Sequence, residues 1–280
     1  MARCHMKQPP AVSSEERAVY DAPPVPVLPE IVDRDVEAIV REIEQTGFAV
    51  IPSYIDTATL ADLQRLVTNI IAGNGGEYAV LTGKAEIAAT LLEAIGVAPR
   101  FGSLLRRVYA AGTGKAPPAQ SLYQVLRCIS GQTGLRQAYF FHYDSYVVTA
   151  LLPIIIPREG QTGDLLLKAN KRKVRSSYLL NLADKLVADN QLSQKHYRRQ
   201  VERGRGGFRR VRIVPGNLYL FWGYRSLHAN EPCDPARIRA TALFHFGDPH
   251  ADSGLRKFTG KAKIRATPDD HNGSEYPVKA

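Results

Sequence analysis

From Ser121 onward the chain repeats one pattern, short runs of β-branched, aromatic and aliphatic residues broken by Gly, Pro or charged turns. The runs are SLYQVLRCI, QAYFFHYD, YVVTALLPIII, GDLLLKA, RRVRIV, GNLYLFWG and RATALFHFG. Strands of that length and spacing argue for a sandwich or barrel. A helical stretch over about 177–202 interrupts the series. The part before Ser121 has a different period. Asp33 is placed to cap a helix running to about Gln45, with Val36, Ile39, Val40 and Ile43 on one face. Gly47 stops that helix, and FAVIPSYI reads as a short strand ending near Asp56. A second helix follows in TATLADLQRLVTNII, with Leu60, Leu63, Leu66, Val67 and Ile70 or Ile71 inward. Residues 84–111 read as short helices around an apolar cluster. The expected fold is mainly β with helical support, a jelly roll (cupin-like) preceded by N-terminal helices. Residues 1–30, rich in Pro and polar residues, read as a flexible segment. Residues 31–280 read as one domain, with helical support over 31–115, a jelly-roll core over 121–248 and a basic helical insert over about 170–212.

Charge is concentrated in that insert. Residues 168–212 hold fourteen Lys or Arg against Asp184, Asp189 and Glu202, a net of +11 in a chain whose total is +10. The plain reading is a solvated helix face. The sharper one is a surface that attracts an anionic substrate, phospholipid or nucleic acid. Tyr178, Tyr197 and Phe208 are its few aromatics, so a base-stacking groove is disfavoured and nucleic acid is not the expected partner. No run is long and apolar enough for a membrane span, and the N-terminus lacks the apolar stretch of a secretory signal. Cys4, Cys128 and Cys233 are widely spaced and suggest neither a disulfide framework nor a zinc site. A cytoplasmic location is the expectation, and nothing specifies an oligomeric state.

Chemistry enters with the histidines. His142 and Asp144 close a strand-like run, and alternation puts residues i and i+2 on one face, where both can reach one metal. His228, at the end of GNLYLFWGYRSLH, is the natural third ligand. Two His and one carboxylate on one face of an octahedron leave three open positions, which suits non-haem ferrous iron. With seven His and 14 Asp in the chain, a His-x-Asp pair alone is weak evidence. A second pair, His250 and Asp252, has only His271 beyond it and no later Arg, and so reads as surface. A 2-oxoglutarate cosubstrate would need its distal carboxylate gripped by a bidentate guanidinium. Arg239 is placed for this, with Thr241 facing the same way. Arg237 shares the face by alternation and is the competitor.

These stretches resemble the phytanoyl-CoA dioxygenase-like branch of the iron/2-oxoglutarate oxygenases. EIEQTGFAVIPSYIDTATLADLQRLV is similar to that branch's opening helix, strand and second helix. FHYD resembles its first two ligands, and GDLLL the run after them. VPGNLYLFWGYRSLHANEPCDPARIRATALFHFG resembles its third-ligand and arginine strands. The resemblance covers roughly residues 35–248, with 77–135 and the basic insert poorly matched. It implies a double-stranded β-helix, Fe(II) on His142, Asp144 and His228, and 2-oxoglutarate on Arg239. It further implies O2 as oxidant, succinate and CO2 as products, and hydroxylation or a related oxidation in place of halogenation because Asp144 is present.

Weaker candidates surround this set. Tyr123, Gln124 or Thr149 could hydrogen-bond 2-oxoglutarate, although core packing and strand satisfaction explain Tyr123 and Thr149 equally. Tyr143, Tyr146, Trp222, Arg225 and Asn230 could meet substrate, Trp222 reading first as core. His245 is either a supporting group or a satisfied buried histidine. The expected function is oxidation of an unactivated C–H in a small molecule, such as a natural-product intermediate or an amino acid. The alternatives are an oxygenase reaching an anionic lipid or macromolecule through the basic insert, and a jelly-roll module that binds metal or ligand without turnover.

Overall fold

Strand alternation sorts the chain into layers. The computed structural model describes residues 26–175 and 177–251. In chain order the elements are α1 Asp33–Thr46, β1 Ala49–Ile51, α2 Thr57–Gly73, β2 Ala79–Thr82, α3 Gly83–Ile87, α4 Leu91–Val97, α5 Pro99–Thr113, β3 Tyr123–Ile129 and α6 Gly131–Leu135. Then follow β4 Val148–Ile155, β5 Leu165–Lys168, α7 Tyr178–Asp189, α8 Gln191–Glu202, β6 Arg209–Val211, β7 Leu218–Phe221, β8 Leu227–Asn230 and β9 Arg239–Phe246. A six-stranded sheet runs β1-β7-β4-β9-β3-β2 and a three-stranded sheet runs β6-β5-β8. Every strand pairing within them is antiparallel.

The even-numbered residues of β3, β4, β7 and β9 face the N-terminal helices. Leu126, Leu152, Leu220, Ala242 and Phe244 share one core with Ile43 of α1, Leu63 of α2 and Phe101 of α5. Burying side chains of this size contributes roughly 1.5–3 kcal/mol each. Phe101 meets Phe244 edge-on at 4.7 Å between ring centroids. The odd-numbered residues face the other way. Leu151, Tyr219 and Phe221 pack on Leu165, Leu167 and Val211, so the two sheets lie face to face. The outer face of the small sheet is covered in turn. Leu166, Leu227 and Ala229 pack with Phe141, Ala188 of α7, and Tyr197 and Val201 of α8.

Several expectations are corrected by the structure. QAYFFHYD is not a strand; it contributes a single bridge, His142 to His228. His228 does not end the strand holding Leu218–Phe221. The chain folds back at Trp222, whose carbonyl accepts from the amides of Arg225 and Ser226, and β8 then joins the other sheet. The helical insert is broken at Asn190, whose extended backbone and side-chain bond to the Ser193 amide start a new helix. Asp33 is not the cap of α1. It lies in the first turn and binds the guanidinium of Arg107. The flexible segment proposed for residues 1–30 lies mostly outside the described residues.

One helix inverts the usual pattern. On α7 Asn181 and Ala188 are buried and Asp184 and Lys185 are half-buried, while Leu179, Leu180, Leu186 and Val187 face solvent. Polar contacts fix the inner face. Asp184 takes hydrogen bonds from Arg172 and Arg175, and Lys185 donates to Ser145 Oγ at 2.6 Å. Arg172 lies between the rings of Tyr143 and Tyr224, 4.2 Å from each centroid.

Candidate active site

The facing surfaces of the two sheets bring the singled-out side chains together. β9 presents Arg239, Thr241 and His245 on its odd-numbered face. β4 presents Thr149, paired in register with His245. β8 presents His228 and Asn230. His142 is held beside His228 by reciprocal backbone hydrogen bonds of 3.0 and 3.1 Å. The Asp144 amide donates to the Gly223 carbonyl at 3.0 Å. A Cβ on Gly223 would lie 2.2 Å from Asp144 Oδ2, so only glycine lets this carboxylate sit where it does.

His142, Asp144 and His228 each offer a donor atom, and these atoms lie within 4.8 Å of one another. The hydrogen bonds fix which atoms face inward. His142 Nδ1 is 3.0 Å from the Phe140 carbonyl and His228 Nδ1 is 3.1 Å from the Ser226 carbonyl. A carbonyl only accepts, so both Nδ1 atoms carry hydrogen. Both Nε2 atoms then point at Asp144 Oδ1, at 3.7 and 3.5 Å. The other carboxylate oxygen is engaged by the Thr149 hydroxyl, whose oxygen lies 3.2 Å from His245 Nδ1. This is the arrangement a divalent cation requires, with lone pairs converging and the outer atoms tied down.

The electrostatics of the cluster centre on Asp144. Burial works to raise the Asp144 carboxyl, but the charges of His228 and His245 outweigh it and hold the group well below the usual carboxylate range. Burial presses on His228 as well, yet Asp144 raises it. Burial, and then the charge of His228, push His142 down, so its imidazole is neutral and ready to donate a lone pair. Burial also lowers His245, against the pull of Asp144.

Arg239 is fully buried. Its Nε donates to the Gly163 carbonyl at 2.7 Å and its Nη2 to Asn230 Oδ1 at 2.9 Å. Nη1 is buried with no hydrogen-bond partner among the described residues. Burial, and then the nearby Arg127, push the guanidinium down to about 10. A buried cation with a spare donor is costly unless an anion meets it. Gly163 makes room for this side chain: at φ +70°, a Cβ there would lie 2.5 Å from Arg239 Cδ. Thr241 is buried beside it on the same strand face, whereas Arg237 is exposed before β9 begins.

Other candidates fall elsewhere. Tyr123 stays on the site's face, stacked on Tyr146 at 5.7 Å, with Tyr146 stacked on His245 at 5.4 Å. Gln124, its neighbour, points to the opposite face, against Gly96 and into a cavity of about 360 Å³ beside α4 and α5. It cannot reach the histidine cluster through the sheet. Trp222 is also on the helix side, fully buried against Gly112 and bonded through Nε1 to Glu44. Arg225 is drawn to the same Glu44. Tyr143 faces Arg172 under the insert, and Asn230 serves Arg239. Thr149 is spent on Asp144. His250, expected at the surface, is buried beside the Tyr224 hydroxyl at 3.1 Å; its partner Asp252 lies outside the described residues. Arg127, which alternation puts on the same inward face of β3 as Tyr123, escaped the sequence reading.

No protein-family model matches the chain, and no curated protein does. Solved structures do. HygX from Streptomyces hygroscopicus, with nickel and 2-oxoglutarate bound, is 13% identical, with a TM-score of 0.54 over 78% of this chain and 88% of that one. The non-heme alpha-ketoglutarate-dependent epimerase SnoN from nogalamycin biosynthesis is 12% identical, with a TM-score of 0.52 over 77% and 84%. A prolyl hydroxylase from Trichoplax adhaerens, in complex with a hypoxia inducible factor peptide fragment, is 15% identical, with a TM-score of 0.52 over 79% and 94%. The likeness is one of fold. No helix among the described residues is long and apolar enough to cross a membrane.

Proposed function

We propose that this chain is an Fe(II)- and 2-oxoglutarate-dependent oxygenase built on a double-stranded β-helix, of the phytanoyl-CoA dioxygenase-like pattern. One observation carries the reading: His142, Asp144 and His228 converge on one point while the buried Arg239, with an unpartnered Nη1, enters from the facing sheet. Its other nitrogen binds Asn230, which lies two residues from His228 on the same strand face. That spacing is about 7 Å, a span a five-carbon dicarboxylate covers. In this reading the three side chains hold iron, Arg239 and Thr241 grip the far carboxylate of 2-oxoglutarate, and Thr149 and His245 keep Asp144 oriented. Bound iron with 2-oxoglutarate and O2 supplies the oxidising chemistry, releasing succinate and CO2. The protein's part is to hold the ligands, keep the arginine dry, and present a substrate C–H. Tyr123 and Tyr146 stack along His245 and Phe140 stacks on His142, so the approach is aromatic and suits a small molecule with an apolar body. The test is succinate formation from 2-oxoglutarate with Fe(II) and O2, with and without candidate substrates. The reading fails if purified protein loaded with Fe(II) anaerobically neither binds 2-oxoglutarate nor forms succinate on admitting air.

A further inference from the structure

The outward face of α7 has the wrong chemistry for a solvated helix. Leu179, Leu180, Leu186 and Val187 are 58%, 55%, 64% and 62% exposed, and Leu192, at the start of α8, is 80% exposed. Positions 179, 180, 183, 186 and 187 follow helical spacing and form one stripe with the exposed Ala183 among them. Such contiguous apolar surface marks a contact site. The inner face does not explain it, since its polar groups are held by Arg172, Arg175 and Ser145. The outer face of α8 continues the surface with a different character. Leu192, Lys195, His196 and Arg199 repeat at helical spacing and are exposed. Lys171, Lys173, Arg203 and Arg205 flank the hairpin and are exposed too.

We infer that the α7–α8 hairpin is a docking surface for an anionic lipid membrane, its aliphatic ridge entering the acyl boundary and its basic flank meeting the phosphates. Exposed aliphatics beside Lys and Arg are what an interfacial helix needs. Charge decides between occupants. Residues 252–280 carry six Lys or Arg against four acidic residues, so that segment would be repelled from a face of like sign. A second copy meeting it symmetrically would oppose two basic flanks. Nucleic acid matches the charge but has no use for five projecting aliphatics, and the ridge bears no exposed aromatic for bases to stack on. The helices carrying this surface pack on the outer side of the small sheet, and none of the ridge residues belongs to the histidine cluster.

The experiment is co-sedimentation of the full chain with vesicles of phosphatidylglycerol and, separately, of phosphatidylcholine. Binding to phosphatidylglycerol, weakened by salt, is expected, with little binding to phosphatidylcholine. The quadruple variant L179S/L180S/L186S/V187S should abolish it, and K195Q/R199Q should weaken it about fivefold for each cation removed. Circular dichroism and light scattering of each variant accompany the assay. Absence of binding to phosphatidylglycerol overturns the proposal. So does binding that K195Q/R199Q weakens but the serine variant leaves intact, which would mark a purely electrostatic site. If the parent is a dimer and the serine variant a folded monomer that still binds vesicles, the stripe joins two copies and the proposal is likewise wrong.

Discussion

Thr149 donates its hydroxyl to Asp144 Oδ2 over 2.5 Å, from the neighbouring β4 strand, and so leaves Oδ1 as the oxygen that faces both imidazoles. On the proposed reading the threonine thus orients a ligand without being one itself. Thr149→Val keeps the shape and removes the hydrogen bond. Loss of such outer partners costs about 10–100-fold in metal affinity. Anaerobic titration with Fe(II) against a competing chelator should show that drop with the fold intact. Unchanged affinity would mean that Asp144 is held by its backbone alone.

Removing a ligand acts on stability as well as turnover. A cation that binds only the folded chain adds about 2.7 kcal/mol at a concentration one hundred times its Kd. The parent's melting temperature should therefore rise with added Fe(II) or Co(II). In His142→Ala and His228→Ala that rise should vanish together with succinate formation. A variant that loses activity but keeps the metal-dependent shift would displace that histidine from the ligand set.

Arg239 sets the cost of burying a cation against the two hydrogen bonds it donates. It is fully buried and one of its nitrogens is unpartnered. Arg239→Met removes that cation but also leaves the Gly163 carbonyl and Asn230 Oδ1 without their donor, so the metal-free protein should melt at a similar or slightly lower temperature. The same change should raise the 2-oxoglutarate requirement by about 30-fold or more, since truncating one partner of a buried charge pair costs ~2–5 kcal/mol. Arg237→Ala should do neither. Initial rates against 2-oxoglutarate concentration, beside a thermal melt, separate these outcomes.

Trp222 distinguishes core from substrate wall. It packs on Gly112 of α5 on the helix side of the sheet. Trp222→Ala should destabilise by about 3–5 kcal/mol in a denaturant titration. Trp222→Phe should recover part of that and leave substrate preference as it was. A preference that changed with Trp222→Phe while stability held would put the indole at the site.

Much of this was written in local pattern. The short β-rich runs predicted β1, β3 to β7 and β9 but not β2 or β8, and the 3.6-residue spacing predicted α1 and α2, because both periods follow from backbone geometry alone. His142, Asp144 and Arg239 stood out by residue type and position. Parity, however, sorts residues into two sets without saying which set meets which layer. Only the placement of α4 and α5 against one face of the large sheet sent Gln124 and Trp222 there and left Tyr123, Thr149 and His245 toward the small sheet. Only the reversal at Trp222 carried His228 from the large sheet's strand into β8, where its Nε2 could meet Asp144. Alternation left Arg237 as a competitor to Arg239, and only the tertiary structure separates them, since Arg239 alone lies within β9, over the gap that Gly163 leaves. Sequence set the alternation and supplied the chemical groups; the stacking of layers, which depends on contacts far apart in the chain, decided which of those groups share one dry interior.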